Sequence, residues 1–97
     1  MMEPLADTEI DVGLATLGPA WRRAGQQILA ELACQDFAAA IALVNRIAEA
    51  AEQADHHPDI LIHGYRRVTI TLTTHAAGGL TQRDFALARA IDALVGP

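Results

Sequence analysis

Residues 67–74, with the sequence RVTITLTT, carry the pattern that decides the class of fold. Val68, Ile70 and Leu72 alternate with threonines at positions 69, 71 and 73. Successive side chains of a β-strand point to opposite faces of a sheet, so this period of two predicts a strand with one buried face. Such a strand is typical of an antiparallel sheet that is covered on one side.

Three further strands and three helices are predicted in the rest of the chain. Short apolar runs bounded by turn residues predict the strands, and apolar residues at helical spacing after a capping residue predict the helices. The strands are expected over residues 21–25, 28–34 and 60–63, and the helices are expected to begin near Asp7, Asp36 and Thr81. In the central helix, which must end near Asp55 because Pro58 follows, the apolar stripe is Phe37, Ile41, Val44, Ala48 and Ala51.

The order α-β-β-α-β-β-α predicts an α+β fold. We expect a two-layer sandwich in which a four-stranded antiparallel sheet has its helices packed on one face. The 97 residues are expected to form a single domain, residues 1–97. Alanine is the commonest apolar residue and only four residues are aromatic, so the core is expected to be thin and a second subunit is plausible.

The composition excludes several kinds of chemistry. All seven basic residues are Arg, and the chain contains neither Lys nor Ser. The absence of Lys excludes Schiff-base enzymes, pyridoxal-phosphate anchors and Walker-type phosphate loops, and the absence of Ser excludes serine hydrolases. Cys34 is the single cysteine, so one subunit can form neither an intrachain disulfide nor a multi-thiolate metal centre.

The charge pattern argues against nucleic acid and membranes as partners. The net charge is −5, and the arginines form no basic patch larger than the pairs at 22–23 and 66–67. The longest apolar run, residues 37–44, is too short to cross a bilayer. The acidic N-terminal residues show no signal-peptide pattern, so a cytoplasmic location is expected.

Four histidines in so short a chain are the main candidates for function: His56, His57, His63 and His75. Taken alone, they could be solvated loop residues, or His56 and His57 could place cations at the negative end of the central helix. Several imidazoles with Asp55 or Asp59 could also bind zinc. General acid–base catalysis is the remaining reading, for which histidine is suited by its ordinary pKa of about 6.5.

A longer pattern of residues around the histidines resembles the pterin-4a-carbinolamine dehydratase family. Two separated segments agree with that family in order and spacing. The resemblance is carried by residues 52–59 (EQADHHPD), Tyr65, Val68, residues 72–81 (LTTHAAGGLT), Asp84 and Leu87-Ala88, and it extends upstream to Trp21 and Asp36-Phe37. Compared with the commoner family pattern, the chain is one residue longer between Pro58 and Tyr65 and has Ile60 where an aromatic residue is frequent.

The resemblance implies a hydro-lyase that acts in tetrahydrobiopterin recycling. These enzymes dehydrate the 4a-hydroxytetrahydropterin left by aromatic amino-acid hydroxylases, which gives quinonoid dihydropterin and water. The implied partners are therefore the small-molecule pterin substrate and, through the pathway, an aromatic amino-acid hydroxylase. No cofactor and no metal are implied, and a homodimer or homotetramer is expected.

The resemblance also assigns roles to named residues. His56, His57 and His75 correspond to the active-site histidines, with His56 and His75 as the acid–base pair and His57 mainly holding the pterin. The substrate-binding set that it implies is Glu52, Asp55, Pro58, Thr74 and Asp84. From the residues alone, Glu52 could equally be an exposed helix residue, and Asp84 could simply cap the last helix. The glycines at 78 and 79 are expected to permit positive φ and close backbone approach.

Two other functions are retained as alternatives. The same fold could serve as a non-catalytic binding module that assists the dimerisation or assembly of another protein. A metal-dependent hydrolase is the other alternative. Retention of all three histidines favours catalysis, because a pure scaffold has no need of them.

Overall fold

The computed structural model describes residues 3–96 and confirms the predicted order of helices and strands. The elements are α1 (Asp7–Ala15), β1 (Trp21–Ala24), β2 (Gln27–Ala33), α2 (Phe37–Ala54), β3 (Asp59–His63), β4 (Arg67–Leu72), a short 3₁₀ helix (His75–Ala77) and α3 (Gln82–Val95). The two residues before this range and Pro97, which the domain prediction also covers, lie outside the described residues. Within 3–96, no helix combines the length and apolarity needed to cross a membrane.

The four strands form one antiparallel sheet in the order β1-β2-β4-β3. Ala30 at its centre is paired with Trp21 on one side and with Ile70 on the other, and Ile70 is paired with Ile60. Because directly paired residues point to the same face, these side chains line one face of the sheet. The helices cover this face, as the alternation in β4 predicted, and Ala30 and Ile70 are completely buried there.

The buried face of α2 matches the predicted one only in part: Ala51 is buried and Val44 is half-buried against the core, but Phe37, Ile41 and Ala48 are exposed. The helix begins where expected, with the Asp36 carboxylate accepting from the amide of Ala39 at 2.8 Å. Its fully or nearly fully buried residues are Ala40, Ile47 and Ala51, whereas Phe37 and Ile41 are 53% and 38% exposed. The two apolar stripes are adjacent on the helix. The stripe that contains Ala40 and Ile47 packs against α3 and β4, which leaves Phe37 and Ile41 outside.

The last helix, α3, is held in place by contacts with α1 and with the segment that follows α1. At Gly13 of α1 a Cβ atom would lie 2.8 Å from the ring of Phe85, so only glycine permits this approach. The Asp92 carboxylate accepts from the amide of Gly18 and from Nε1 of Trp21, both at 2.8 Å. These contacts define the position of α3, whose N-terminal turn contributes to the site described next.

Candidate active site

The His-His-Pro segment leaves α2 through a tight left-handed turn. Asp55 has φ of 48°, and its amide donates to the carbonyl of Glu52 at 3.2 Å. The next amide, of His56, donates to the carbonyl of Ala51 at 3.1 Å. This pair of hydrogen bonds is a Schellman motif, which satisfies carbonyls at the end of the helix and turns the chain sharply. The turn ends α2 at Ala54 and begins the segment that carries the two histidines.

His56 is bonded to a completely buried carboxylate. Its Nε2 lies 2.5 Å from Oδ1 of Asp84, and the two residues are 8% and 0% exposed. Oδ2 of the same carboxylate accepts from the hydroxyl of Thr74 at 2.8 Å and from the amide of Thr81 at 2.9 Å. Asp84 is thus the third residue of α3 in the predicted capping box with Thr81, and it is also the partner of His56. One side chain therefore both caps α3 and holds the ring of His56.

The hydrogen-bond directions in this cluster can be assigned from the number of protons available. Thr74 uses its single hydroxyl proton toward Asp84, so the hydroxyl of Thr81 donates to Thr74 across the 2.9 Å between them. An ionised carboxylate only accepts, so with Asp84 ionised Nε2 of His56 is the donor in this contact. Nδ1 is then the ring nitrogen that this contact does not use. No buried side-chain nitrogen or oxygen within residues 3–96 lacks a partner.

His75 lies directly after Thr74 and is exposed at the start of the 3₁₀ helix. Both glycines that follow are required, for different reasons. Gly78 has φ of 74°, which side chains rarely adopt. A Cβ atom on Gly79 would lie 2.7 Å from Oε1 of Gln26 and 2.9 Å from Cβ of Pro4. The loop that carries His75 is therefore packed beneath the β1–β2 turn and the N-terminal segment.

His57 and Glu52 form an exposed pair through direct contact of Nε2 with Oε2. Their side chains are 60% and 74% exposed, so both remain accessible to a ligand. Glu52 is in the last turn of α2 and His57 follows the left-handed turn, so the turn itself brings them together. Asp55 is also exposed, and Pro58 is half-buried.

The fourth histidine belongs to a different surface. His63 is the last residue of β3, and its Nε2 lies 2.8 Å from Oγ1 of Thr69 on the sheet face opposite the helices. The chain turns just beyond it, where Gly64 and Tyr65 both have positive φ. Among residues 3–96, no three His, Cys, Asp or Glu side chains are grouped as a metal-binding set.

One residue of the site had no signal in the sequence spacing. The guanidinium of Arg83 donates to the backbone carbonyl of Asp55, and its Nη2 lies 3.5 Å from the carbonyl of Ala54. A backbone carbonyl acceptor has no sequence signature, because every residue carries one. Only the position of Arg83 immediately before Asp84 could have drawn attention to it.

The site therefore consists of two motifs joined by α3. Residues 55 and 56 are held by Arg83 and Asp84, and Thr74, which precedes His75, is held by the same Asp84. One imidazole is fixed and nearly buried, and two are exposed beside a carboxylate and a glycine-rich loop. Such a set can donate and accept protons at a small molecule and offers carboxylates for hydrogen bonding to it.

Several named proteins are similar to this chain along nearly its whole length. A protein of Nocardia farcinica, provisionally named a pterin-4-alpha-carbinolamine dehydratase, is 55% identical over 92 residues, which are 95% of each chain. A protein from a Cyanothece strain with the same provisional name is 52% identical over 94 residues, covering 97% of this chain and 95% of its own.

Two solved structures share the fold. A transcriptional coactivator/pterin dehydratase from Brucella melitensis superposes with a TM-score of 0.90 and 31% identity, covering 97% of this chain and 100% of that one. A pterin dehydratase-like protein identified as a RuBisCO assembly factor of the alpha-carboxysome has a TM-score of 0.66 and 29% identity, covering 79% and 90% of the two chains. The family model described as pterin 4 alpha carbinolamine dehydratase matches residues 3–94. The chain therefore belongs to the pterin-4a-carbinolamine dehydratase family.

Proposed function

We propose that this protein dehydrates 4a-hydroxytetrahydropterin to quinonoid dihydropterin and water. The bond between C4a and the hydroxyl oxygen breaks, and the hydroxyl leaves as water after it receives a proton. A ring-nitrogen proton is lost at the same time, and the electron pair of that bond forms the new carbon–nitrogen double bond. No electron transfer occurs, so two proton-exchanging groups are sufficient.

His56 and His75 are proposed as this acid–base pair. A protonated imidazole beside the 4a hydroxyl avoids departure as hydroxide, which is poor near neutral pH, while a neutral imidazole accepts the ring proton. His57 is proposed to hold the pterin, together with the carboxylates of Glu52 and Asp55. Return of a proton from one imidazole to the other, directly or through water, restores the starting state.

The observation that carries this proposal is the Asp84 carboxylate. It fixes His56 by one oxygen and, by the other, Thr74, which directly precedes His75. His56 and the residue that precedes His75 are thereby held by one buried group, which supports a shared site for the two histidines. Preorganisation of this kind is what acid–base catalysis requires, because both groups must reach the reacting atoms in the correct orientation.

The decisive experiment follows a freshly generated 4a-carbinolamine by its absorbance. Purified protein is expected to accelerate the loss of that absorbance over buffer alone. The measurement is made between about pH 6 and pH 8, where an imidazole can supply either form. Decay at the rate of buffer throughout this range would refute the dehydratase activity.

A binding role is the second candidate, because one structural relative is a RuBisCO assembly factor. In that case the chain would act as a non-catalytic partner in the dimerisation or assembly of another protein. A pull-down that recovers one stoichiometric partner equally well with wild type, His56→Ala and His75→Ala would support this role apart from catalysis. A partner captured by the wild type alone would argue for dependence on the site.

We further propose that the protein is a cytoplasmic homodimer or homotetramer linked in pathway to an aromatic amino-acid hydroxylase. The support for self-association is the alanine-rich core together with apolar side chains that the single chain leaves uncovered. Among residues 3–96, the large ones of more than one-third exposure are Val12, Phe37, Ile41, Leu61, Tyr65 and Val95. Their burial in a second copy would add the apolar area that a small core lacks.

A further inference from the structure

The C-terminal end of α2 is capped by a cation from another helix. Nη2 of Arg83 in α3 lies 2.5 Å from the carbonyl oxygen of Asp55 and 3.5 Å from that of Ala54. The last carbonyls of a helix lack intrahelical partners and form the negative end of its dipole. The last turn of α2 contains no basic residue of its own. Arg83, which is distant in sequence, therefore supplies the positive charge that the last turn of α2 lacks.

The turn that Arg83 holds requires a left-handed backbone conformation at Asp55, which is unfavourable for a residue with a side chain. A side chain at φ of 48° is disfavoured relative to glycine, which is the usual residue at this position of a Schellman motif. Such a conformation persists when surrounding contacts fix it. The amide of His56 depends on the same turn, because it donates to Ala51 across it at 3.1 Å.

Two consecutive residues of α3 hold two consecutive residues after α2. Arg83 binds the main chain at Asp55, and Asp84 binds the ring of His56. Without the first contact, the imidazole would still be tied to Asp84, but the backbone from which it projects would be free to shift. Both the Nδ1 direction of His56 and the path of the chain into His57 would change.

We propose that Arg83 is a positioning residue for the dehydration, which it serves by fixing the backbone of the His56-His57 segment. This inference rests on the proposed function, but its structural half can be measured without substrate. The hydrogen bonds of Arg83 go to the main chain, whereas the rings of His56 and His57 are bonded to Asp84 and Glu52. Its effect acts through the left-handed turn.

The test compares Arg83→Met with Arg89→Met. Arg89 is exposed on the same helix, and its Nη1 lies 3.2 Å from Oγ1 of Thr16, away from the histidines, so the same change of charge and side chain provides a matched control. In Arg83→Met, hydrogen exchange of the His56 amide is expected to rise about tenfold, because loss of a charge-assisted hydrogen bond to the turn favours its opening. kcat is expected to fall on the order of 10- to 100-fold, more than KM rises, because misplacement acts on the reacting geometry. Arg89→Met should match wild type in both measurements.

A lysine at position 83 provides a graded version of the test. Its ammonium is a point charge without the planar fork of arginine, so Arg83→Lys should restore part of the protection at His56 and part of kcat. A merely structural role would lower the thermal midpoint without this parallel recovery of exchange and turnover.

The possible failures are distinguishable. Unchanged exchange at the His56 amide in Arg83→Met, in a protein that is active as wild type, overturns the positioning role and leaves the dehydratase activity standing. An equal loss of kcat in Arg89→Met overturns it as well. An inactive wild type overturns the proposed function and with it the catalytic purpose of Arg83, whatever the exchange rates show.

Discussion

Nε2 of His56 lies 2.5 Å from Oδ1 of Asp84, and this carboxylate has no exposure to solvent. The buried acid is therefore satisfied by groups of the protein alone. It receives a ring N–H, a hydroxyl and a backbone amide, the last of which belongs to the N-terminus of α3. The partner of the imidazole is thus also part of the framework of the fold.

Asp84→Asn is expected to reduce both stability and activity. The amide group has two protons of its own, so at least one of the three donors around position 84 would lose its acceptor. Leaving a buried donor unsatisfied costs about 1–3 kcal/mol, and each kcal/mol lowers the thermal midpoint of a domain of this size by about 4–8 °C. Calorimetry and the carbinolamine assay measure the two effects.

Asp92→Asn is the matched control for that substitution. Asp92 is a half-buried carboxylate that also accepts two hydrogen bonds, from Gly18 and Trp21, but it contacts neither catalytic candidate. The Asp92→Asn substitution should lower the thermal midpoint, while turnover of the folded protein stays near that of wild type. A similar loss of turnover in both variants would contradict a specific role of Asp84 at the site.

His75→Ala should remove most of the turnover with little effect on stability. The side chain is exposed, so its loss leaves no buried cavity. General acid–base catalysis contributes about 100- to 10,000-fold, and a decrease in that range is expected in the carbinolamine assay. His63→Ala provides the comparison, because His63 lies on the other sheet face against Thr69. Equal activity of the two variants would exclude His75 from the acid–base pair.

Asp55→Gly is expected to stabilise the protein while lowering its activity. Glycine adopts the positive φ of this turn without the steric cost that Asp55 bears, which should add about 0.5–1 kcal/mol to the free energy of unfolding after the greater freedom of the unfolded chain is included. The activity falls if the carboxylate holds the pterin. Asp55→Asn separates the two effects, since it removes the charge but still tolerates the turn. Full activity of both variants would remove Asp55 from the binding set.

The molecular mass in solution is expected to be two or four times the 10.3 kDa of one chain. Light scattering after size exclusion measures it directly. Single substitutions to Glu at Phe37 or Leu61 test two exposed apolar surfaces, on α2 and on the edge strand β3. A mass of one chain at micromolar concentration would contradict self-association.

The fold was largely predictable because its signals are local. The alternation in β4, the cap at Asp36 and the capping box at Thr81 each specify a structure within a few residues, and all three are confirmed. The buried face of α2 was not predictable in this way. Two apolar stripes lie side by side on that helix, and only its packing against α3 and β4 decides that Ala40 is buried and Phe37 is exposed.

The candidate site was predictable in its residues but not in its connections. The histidine motifs and Asp84 stand out in the sequence, yet nothing in their spacing shows that Asp84 joins His56 to Thr74. Arg83 was missed altogether, because it binds main-chain carbonyls rather than a recognisable side-chain partner. Such contacts arise from the tertiary arrangement of α2 and α3, which a single sequence does not encode in any short pattern.

The double use of Asp84 has a consequence for how relatives of this chain should be interpreted. A homologue that had lost catalytic activity and kept only a docking role would still need a hydrogen-bond acceptor at position 84 to start its last helix. Finding Asp there would therefore be uninformative about whether it turns over substrate. The fold does not bury the imidazoles at 57 and 75 or the carboxylate at 52, so it does not depend on these three groups. Their loss or retention is the better criterion for separating enzymes from assembly factors among proteins of this shape.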